Sequence, residues 1–151
     1  MIFLGIDIGL QGGVARLDDS GELIGVDDMP VLNDGPAGRR AINAPLLAAL
    51  IYKSHAAEAF VETVGARPGE GAVGAFAFGR SRGVIEGVLG AAGIPATMIT
   101  PVAWKRSIGL TLASKDAARS EAIRRWPNHA ALKANINTKE NHRRALASRS
   151  A

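Results

Sequence analysis

The chain has 151 residues, of which 47% are hydrophobic, and its formal net charge is +4 at pH 7. This length and composition exclude a disordered chain and predict one domain over residues 1–151 with a sizeable core. The absence of Cys excludes a disulfide framework and a thiolate metal site, and it suits a reducing compartment. No run of apolar residues approaches the roughly 18 that a membrane helix needs. We therefore expect a cytoplasmic protein.

The charge is distributed unevenly along the chain. Residues 1–100 contain 7 Lys and Arg against 11 Asp and Glu, a balance of −4, whereas residues 101–151 contain 11 against 3, a balance of +8. Basic segments of this kind neutralise phosphates in proteins that bind nucleic acid. A solvated basic surface gives the same pattern, so charge alone does not decide between the two interpretations.

The first strand is predicted at the amino terminus. Four residues of mainly apolar character lead into a run in which Gly and Ile surround one acid, Gly5-Ile6-Asp7-Ile8-Gly9. The pattern predicts a buried strand that delivers Asp7 to the end of a sheet, followed by a glycine-rich turn. A carboxylate among apolar neighbours is costly unless a cation compensates it, which makes Asp7 a candidate metal ligand. The alternative is that Asp7 only caps the glycine turn.

Two more strands and a loop are predicted next. Residues 13–18 and 23–29 are separated by tight turns, which indicates an antiparallel meander with the first strand. Residues 30–40 are rich in Pro, Gly, Asn and Asp, and this composition predicts a loop.

A helix and a parallel strand follow the predicted loop. Asn43 and the proline two residues later are typical of a helix start, and apolar residues repeat at helical spacing up to His55. Residues 57–63 predict a strand that a helical crossover makes parallel to the first strand. Glu62 therefore ends a strand next to the one that carries Asp7.

A long helix is predicted from residue 72 to about residue 92, and a short strand at 94–99 follows the Gly93 helix stop. The helix contains five glycines, Gly74, Gly79, Gly83, Gly87 and Gly90. Each Gly in a helix interior lowers stability by up to about 1 kcal/mol relative to Ala. We expect these glycines to allow close packing on the sheet or on a second subunit, or to serve binding directly.

The basic third of the chain predicts two more helices. Pro101 is typical of the start of a short helix on which Trp104 packs inward while Lys105 and Arg106 point outward. A further helix is predicted to begin at the Ser114 cap and to end before Pro127, with basic residues in its last turn. The order β-β-β-α-β-α-β-α-α predicts an α/β fold with a mixed five-stranded sheet flanked by helices.

Several motifs occur in a fixed order along nearly the whole chain. They are the Asp7 strand, the Val61-Glu62 strand end, the run from Phe78 to Gly87 beyond a glycine-rich loop, and Pro101-Val102-Ala103-Trp104-Lys105. This ordered set resembles the phage and prophage branch of the RuvC-like Holliday junction resolvases. The resemblance implies a ribonuclease H-like fold, structure-specific cleavage of four-way DNA junctions, and a homodimer.

The resemblance also implies a metal site. It implies hydrolysis of a phosphodiester with Mg²⁺ or Mn²⁺ held by Asp7 and Glu62, and such hard cations suit carboxylate ligands. Further catalytic candidates in the tail are Glu140 and His142. Candidate phosphate contacts are Arg80, Arg82, Lys105, Arg106, Lys115 and Arg119. The candidate dimer interface is the glycine-rich helix with Phe76 and Phe78.

The tail departs from the pattern of the resembled family. In that family the last helix supplies a further carboxylate from an Ala-Glu pair, but here the segment reads Glu140-Asn141-His142-Arg143-Arg144-Ala145-Leu146-Ala147. Codons for residues 143–151 can be chosen so that a one-nucleotide shift restores an Ala-Glu pair and a leucine-rich ending. We therefore expect an atypical C-terminal segment from about residue 140, frameshifted or truncated.

Three functions remain open from the sequence. The first is an active junction endonuclease. The second is a catalytically impaired, nuclease-like DNA-binding protein that lacks the last carboxylate. The third is a fragment of an actin-like ATPase or sugar kinase, with the glycine turn after Asp7 as its phosphate loop. Length argues against the third function, because those enzymes close two such lobes around ATP and this chain supplies one.

Overall fold

A computed structural model describes residues 1–36, 38–63, 65, 69, 71–110 and 117–129. The chain divides into two compact units, Met1–Gly109 and Leu110–Ala151. The strands of the first unit are β1 (Ile2–Asp7), β2 (Gly13–Asp18), β3 (Leu23–Asp28), β4 (Val31–Asn33), β5 (Arg40–Ile42), β6 (Glu58–Glu62) and β7 (Ala96–Ile99). Its helices are α1 (Ala44–Ser54), α2 (Ala72–Ala91) and α3 (Pro101–Ser107), and the second unit contains α4 (Ala117–Arg125).

Five of the strands form one mixed sheet in the order β3-β2-β1-β6-β7. The meander β1, β2 and β3 is antiparallel, as the tight turns predict, whereas β1, β6 and β7 run parallel to one another. A strand that returns parallel to its neighbour needs a crossover, and α1 and α2 provide the two crossovers. The predicted mixed five-stranded sheet flanked by helices is confirmed.

The segment predicted as a loop contains a small hairpin. Strands β4 and β5 pair antiparallel, with Val31 opposite Ile42 and Asn33 opposite Arg40. The loop prediction for residues 30–40 is therefore wrong at both ends. The Pro and Gly residues that suggested it occupy the connection between two strands of only three residues each, which is too short for a visible alternation.

The core lies between the sheet and the helices α1 and α2. Alternate residues of the two central parallel strands are buried to within 3% exposure, and they form one cluster with residues of both helices. The main members of this cluster are Leu4, Ile6, Ala59, Val61, Leu47, Ile51, Ile85 and Leu89. Because side chains alternate along a strand, the residues between them face the other side of the sheet.

The ends of α1 follow the sequence prediction. The Asn43 side chain accepts a hydrogen bond from the Leu46 backbone N–H at 3.2 Å, which caps the first turn. The helix ends at His55, which has φ 49°. Among the described residues, it is the one residue other than glycine with a positive φ. Its backbone N–H donates to the Tyr52 carbonyl at 3.3 Å.

Replacing His55 by Gly is expected to raise the free energy of unfolding by about 0.5–1 kcal/mol. A β-carbon is unfavourable in the left-handed region, and Gly is the preferred residue at this position of a helix end. The matched control is Ala49→Gly at an exposed position in the middle of α1, which should lower the free energy of unfolding by about 1 kcal/mol. Urea unfolding of both variants measures the two changes, and a loss of stability in His55→Gly would contradict the prediction.

Four of the five glycines of α2 do not pack on the sheet. Beyond the neighbouring backbone of the helix itself, a β-carbon at these positions would have no atom of the described residues within 4 Å; they are Gly79, Gly83, Gly87 and Gly90. The expectation of close packing on the sheet is therefore wrong for these residues. Phe76 is 75% exposed, whereas Phe78 packs against the core cluster. Of the two aromatic residues predicted at the interface, only Phe76 is therefore largely exposed.

None of the described helices combines the length and the apolar character needed to cross a membrane.

Candidate active site

The carboxyl ends of β1 and β6 bring Asp7 and Glu62 together. The two residues are register partners in the parallel pair of strands. Register partners on parallel strands project from the same face, and the strands are about 4.8 Å apart, so the two carboxylates lie side by side. They occupy the face opposite the buried Ile6 and Val61, and Glu62 is half-buried while Asp7 is exposed. The predicted placement of the two acids on neighbouring strands is confirmed.

The environment of Asp7 differs from the one expected. The side chain is exposed at the carboxyl end of the central strand β1, so the argument that its burial demands a cation is wrong. Its Oδ1 atom accepts a hydrogen bond from the Gly9 backbone N–H at 2.9 Å, as the capping alternative proposes. The Gly12 N–H in turn donates to the Gly9 carbonyl at 2.9 Å and closes the turn. In the described residues, Oδ2 of Asp7 has no hydrogen-bond partner, which leaves this oxygen available to a ligand.

Gly12 holds the turn against the Asp7 residue. A β-carbon at Gly12 would lie 2.7 Å from Asp7 Cγ and closer still to the Asp7 carbonyl oxygen. Real β-carbons do not approach other atoms so closely, so only glycine fits without a shift of the acid. Sequence reasoning did not identify Gly12 as a determinant of the site. The available signal was the Gly12-Gly13 pair five residues after the acid.

The two carboxylates fit a hard divalent cation only in part. Mg²⁺ and Mn²⁺ prefer oxygen ligands, and Asp7 and Glu62 supply them at one end of the sheet. The Glu62 carboxylate has no hydrogen-bond or ion-pair partner among the described residues. However, no group of three or more His, Cys, Asp or Glu side chains that could hold a metal occurs in the part of the chain described. The other predicted catalytic residues, Glu140 and His142, lie outside the described residues.

Helix α3 begins at the same end of the sheet, directly after β7. Glu62 pairs in register with Ile99, and the Thr63 N–H donates to the Ile99 carbonyl at 2.9 Å. Thr100 then caps α3 by accepting a hydrogen bond from the Ala103 N–H at 3.2 Å. The helix that carries the predicted basic residues therefore starts one strand away from Glu62 and two strands away from Asp7.

The basic residues of α3 occupy two environments. Arg106 is exposed, as predicted. Lys105 is half-buried, and its Nζ lies 5.6 Å from the centroid of the half-buried Trp104 ring. A cation–π contact of this kind holds the ammonium group over the indole. Arg106 is consequently the more accessible of the two predicted phosphate contacts.

The arginines of α2 are already paired with acids. Arg80 forms an ion pair with Asp34, which joins α2 to the segment after β4. Arg82 pairs with Glu86 at 2.7 Å, and its Nη1 lies 3.5 Å from the Thr63 hydroxyl, next to Glu62. All these charged side chains are partly exposed, so solvent weakens the pairs and a phosphate could compete for the arginines.

The second unit contains one described candidate, Arg119 on α4. It is half-buried, and its Nη2 has no hydrogen-bond partner within the described ranges. The other candidate of this unit, Lys115, lies outside the described residues. Arg124 and Arg125 both pair with Glu121 at 2.7 Å, and hydrogen bonds from Arg124 and then from Arg125 lower the pKa of Glu121 to about 2. These two arginines therefore remain paired at neutral pH.

Comparison with known proteins identifies the fold. No family model and no curated protein matches the sequence. The RuvC of Thermus thermophilus, solved in complex with a Holliday junction substrate, is similar with a TM-score of 0.68 and 19% identity over 87% of this chain and 82% of that one. A second Thermus thermophilus RuvC structure is similar with a TM-score of 0.57 and 20% identity, and the match covers 77% of this chain and 73% of that one. The assignment to a phage branch stays a prediction. The chain therefore has the ribonuclease H-like fold of RuvC, as the ordered motifs in its sequence predict.

Proposed function

We propose that this chain is a metal-dependent endonuclease that cleaves four-way DNA junctions. The observation that carries the proposal is the register pairing of Asp7 with Glu62 at the carboxyl ends of β1 and β6. Two carboxylates at the ends of adjacent strands are suited to metal-assisted phosphodiester hydrolysis. The fold is shared with RuvC, whose solved complex contains a Holliday junction, and this supports branched DNA as the substrate class.

In this proposal Asp7 and Glu62 hold Mg²⁺ or Mn²⁺. A bound cation would supply an activated water and charge stabilisation at the leaving 3′ oxygen. The Gly9 N–H binds one Asp7 oxygen, the other has no hydrogen-bond partner among the described residues, and Gly12 fits the turn closely against the acid. Glu140 and His142 are proposed as further catalytic residues of the tail.

Two of the proposed DNA contacts lie near the strand ends that carry the acids. Arg106 is exposed on the helix that starts there, and Arg82 lies next to Thr63 after the Glu62 strand. Phosphate contacts of this kind orient the DNA and supply sequence-independent affinity. The same role is proposed for the remaining candidates, Arg80, Lys105, Lys115 and Arg119. The balance of +8 over residues 101–151 supports this assignment.

A second candidate function is a DNA-binding protein with impaired catalysis. Two observations favour it: the described residues offer two carboxylates at the site and not three, and residues 122–151 contain Glu140 as their one acid. Loss of a metal ligand removes several kcal/mol of transition-state stabilisation. We propose that a frameshift in the gene replaced the usual ending from about residue 140. Sequencing the 3′ end of the gene tests this: codons that cannot encode an Ala-Glu pair in a shifted frame contradict it.

A cleavage assay on a four-way junction separates the candidate functions. The endonuclease proposal predicts nicks near the branch point in Mg²⁺ or Mn²⁺, none in EDTA, and none in a linear duplex of the same sequence. Tight junction binding without nicks in either metal would leave the impaired DNA-binding protein. ATP hydrolysis with neither binding nor nicks would favour the third alternative, the ATPase or kinase fragment.

We also propose a homodimer that forms through α2. The supporting observation is an exposed stripe of small residues on this helix, where a β-carbon at Gly79, Gly83 or Gly87 would meet no atom of another described element within 4 Å. Phe76 at 75% exposure extends the stripe. Small residues allow two helices to approach closely, and a twofold dimer would present two metal sites to a junction with twofold symmetry.

Gly83→Leu is expected to convert the dimer to a monomer, because a Leu side chain keeps the two helices apart. The matched control is Lys53→Leu on the exposed face of α1, which adds the same side chain away from α2 and should leave the dimer intact. Light scattering coupled to size-exclusion chromatography measures the mass of each variant. A wild-type protein that is monomeric at micromolar concentration, or a Gly83→Leu protein that stays dimeric, would contradict the proposal.

Two broader assignments accompany the function. We propose that residues 1–151 act as one RuvC-like nuclease domain, since the similarity to RuvC extends over 87% of the chain. We propose that the protein acts in the cytoplasm, and the absence of Cys is compatible with that compartment.

A further inference from the structure

Three strands of the sheet end in an acid at the same end. Strands β1 and β6 are parallel, and β3 runs in the same direction because both β1 and β3 are antiparallel to β2. The last residues of these strands are Asp7, Glu62 and Asp28. The proposed metal site uses Asp7 and Glu62. Asp28 is therefore an acid at the same end of the sheet to which the proposed function gives no role.

The register places the Asp28 side chain on the face of the sheet that carries Asp7. The preceding residue, Asp27, forms an ion pair with Arg16 at 2.8 Å, and Arg16 is the register partner of the buried Leu4. This ion pair therefore lies on the core face of the sheet. Because side chains alternate along a strand, Asp28 projects from the opposite face, as Asp7 does.

No side chain separates the two acids on the strand between them. The register partner of Asp28 on β2 is Gly13, which directly precedes the partner of Ile6. A β-carbon at Gly13 would lie 2.6 Å from the Asp27 carbonyl oxygen, so only glycine fits there without a shift of the backbone. Two strand spacings put the Cα atoms of Asp28 and Asp7 about 10 Å apart. The row therefore has a gap between two carboxylates.

The end of β3 is bonded to the turn that follows Asp7. The Met29 N–H donates to the Gly12 carbonyl at 3.0 Å, and Gly12 fits closely against Asp7. This hydrogen bond fixes the backbone of Asp28 relative to Asp7. The Asp28 side chain is exposed, and it has no hydrogen-bond or ion-pair partner among the described residues. Both of its carboxylate oxygens are therefore available.

The separation of Asp28 from Asp7 suits an indirect contact with a cation. Within the described ranges, no group of three His, Cys, Asp or Glu side chains could hold a metal directly. Mg²⁺, however, gives up its waters reluctantly and usually keeps several of them. A carboxylate oxygen, an ion, a water on that ion and a second carboxylate oxygen together span about 7 Å. With the lengths of two Asp side chains added, such a chain connects Cα atoms about 10 Å apart.

We propose that Asp28 is a positioning residue of the metal site and accepts a hydrogen bond from a water on the cation that Asp7 and Glu62 hold. Groups that orient the ligands of a metal in this way raise its affinity. The inference rests on the proposed function and adds to it a third carboxylate that comes from the sheet and not from the tail.

The test is calorimetric titration of the whole chain with Mn²⁺, without DNA, in 0.5 M KCl. Asp28→Asn is expected to weaken Mn²⁺ binding by about 10-fold. Asp28→Glu keeps a carboxylate and should stay within about threefold of the wild type. The matched control is Asp19→Asn, an exposed acid in the turn after β2, and it should bind Mn²⁺ as the wild type does. The salt screens the effect of a distant charge, so a hydrogen-bonded role is distinguished from general electrostatics.

A second measurement needs no variant. In a crystal of the wild type soaked in Mn²⁺, we expect a water that contacts both the ion and the Asp28 carboxylate. Circular dichroism checks that the variants used in the titrations are folded.

Three results would overturn the proposal: Mn²⁺ binding by folded Asp28→Asn that equals that of Asp19→Asn, an equal loss in Asp28→Glu and Asp28→Asn, or a soaked crystal without the shared water. Failure of the proposed function has a different signature, which is a wild type that binds Mn²⁺ in a manner dependent on Asp28 but does not nick a four-way junction.

Discussion

Asp7→Asn is expected to lower the rate of junction cleavage by about 1000-fold. The substitution removes the negative charge of a metal ligand while it keeps the shape of the side chain and the oxygen that accepts the Gly9 N–H. Loss of a ligand-borne charge at a metal centre removes several kcal/mol of transition-state stabilisation, and each 1.4 kcal/mol is about a factor of ten in rate. Junction binding in EDTA should stay within about threefold of wild type, since phosphate contacts supply most of the affinity.

The control for Asp7→Asn is Asp19→Asn. Asp19 is an exposed acid in the turn after β2, at the opposite end of the strands from Asp7. Its carboxylate pairs with the amino terminus at 3.4 Å. Its replacement changes the net charge by the same amount and should leave the cleavage rate unchanged. The affinity for Mn²⁺, measured by calorimetry, should fall at least about 10-fold in Asp7→Asn and stay constant in Asp19→Asn. Equal Mn²⁺ binding by all three proteins would remove Asp7 from the metal site.

Gly12→Ala is expected to lower the cleavage rate by about 100-fold and the free energy of unfolding by about 1–3 kcal/mol. The new β-carbon would lie 2.7 Å from Asp7 Cγ, so the turn or the acid has to move. A movement of about 1 Å at a catalytic group is enough for a rate loss of this size. The effect on rate should exceed what unfolding alone causes, because the displaced atom belongs to the metal ligand itself.

Gly5→Ala is the matched control for Gly12→Ala. Gly5 lies on the same strand and the same face as Asp7, but a β-carbon there would be 3.9 Å from the Ala15 side chain, an ordinary contact. The control should keep the wild-type rate. Rates are compared at a temperature where circular dichroism shows both variants to be folded. If Gly12→Ala is folded and cleaves at the wild-type rate, Gly12 does not position Asp7.

The sheet could be predicted from local signals in the sequence. The alternation around Asp7 marks β1, the Asn43 cap and its following proline mark α1, and Gly93 at φ 68° marks the end of α2. Each of these signals acts over a few residues and needs no tertiary contact. The β4–β5 hairpin could not be found in this way, because three-residue strands show no period and gain their stability from pairing across a turn.

The site could be predicted in its composition but not in its details. The end of each parallel strand places Asp7 and Glu62 at one edge, a consequence of topology alone. Whether Asp7 is buried depends on which residues cover its face of the sheet, and the residue pattern along the strand does not predict these contacts. The Arg80–Asp34 pair joins residues that are distant in sequence, and the contact of Gly12 with Asp7 depends on how the turn folds back on the acid.

The most direct test of the account is a crystal structure of this chain soaked in Mn²⁺, with the ion located by its anomalous scattering. The account predicts a peak between Asp7 and Glu62, with both carboxylates at coordination distance, and no peak there in an Asp7→Asn crystal. A soaked wild-type crystal in which Mn²⁺ occupies other sites while the space between these carboxylates stays empty would contradict the central claim.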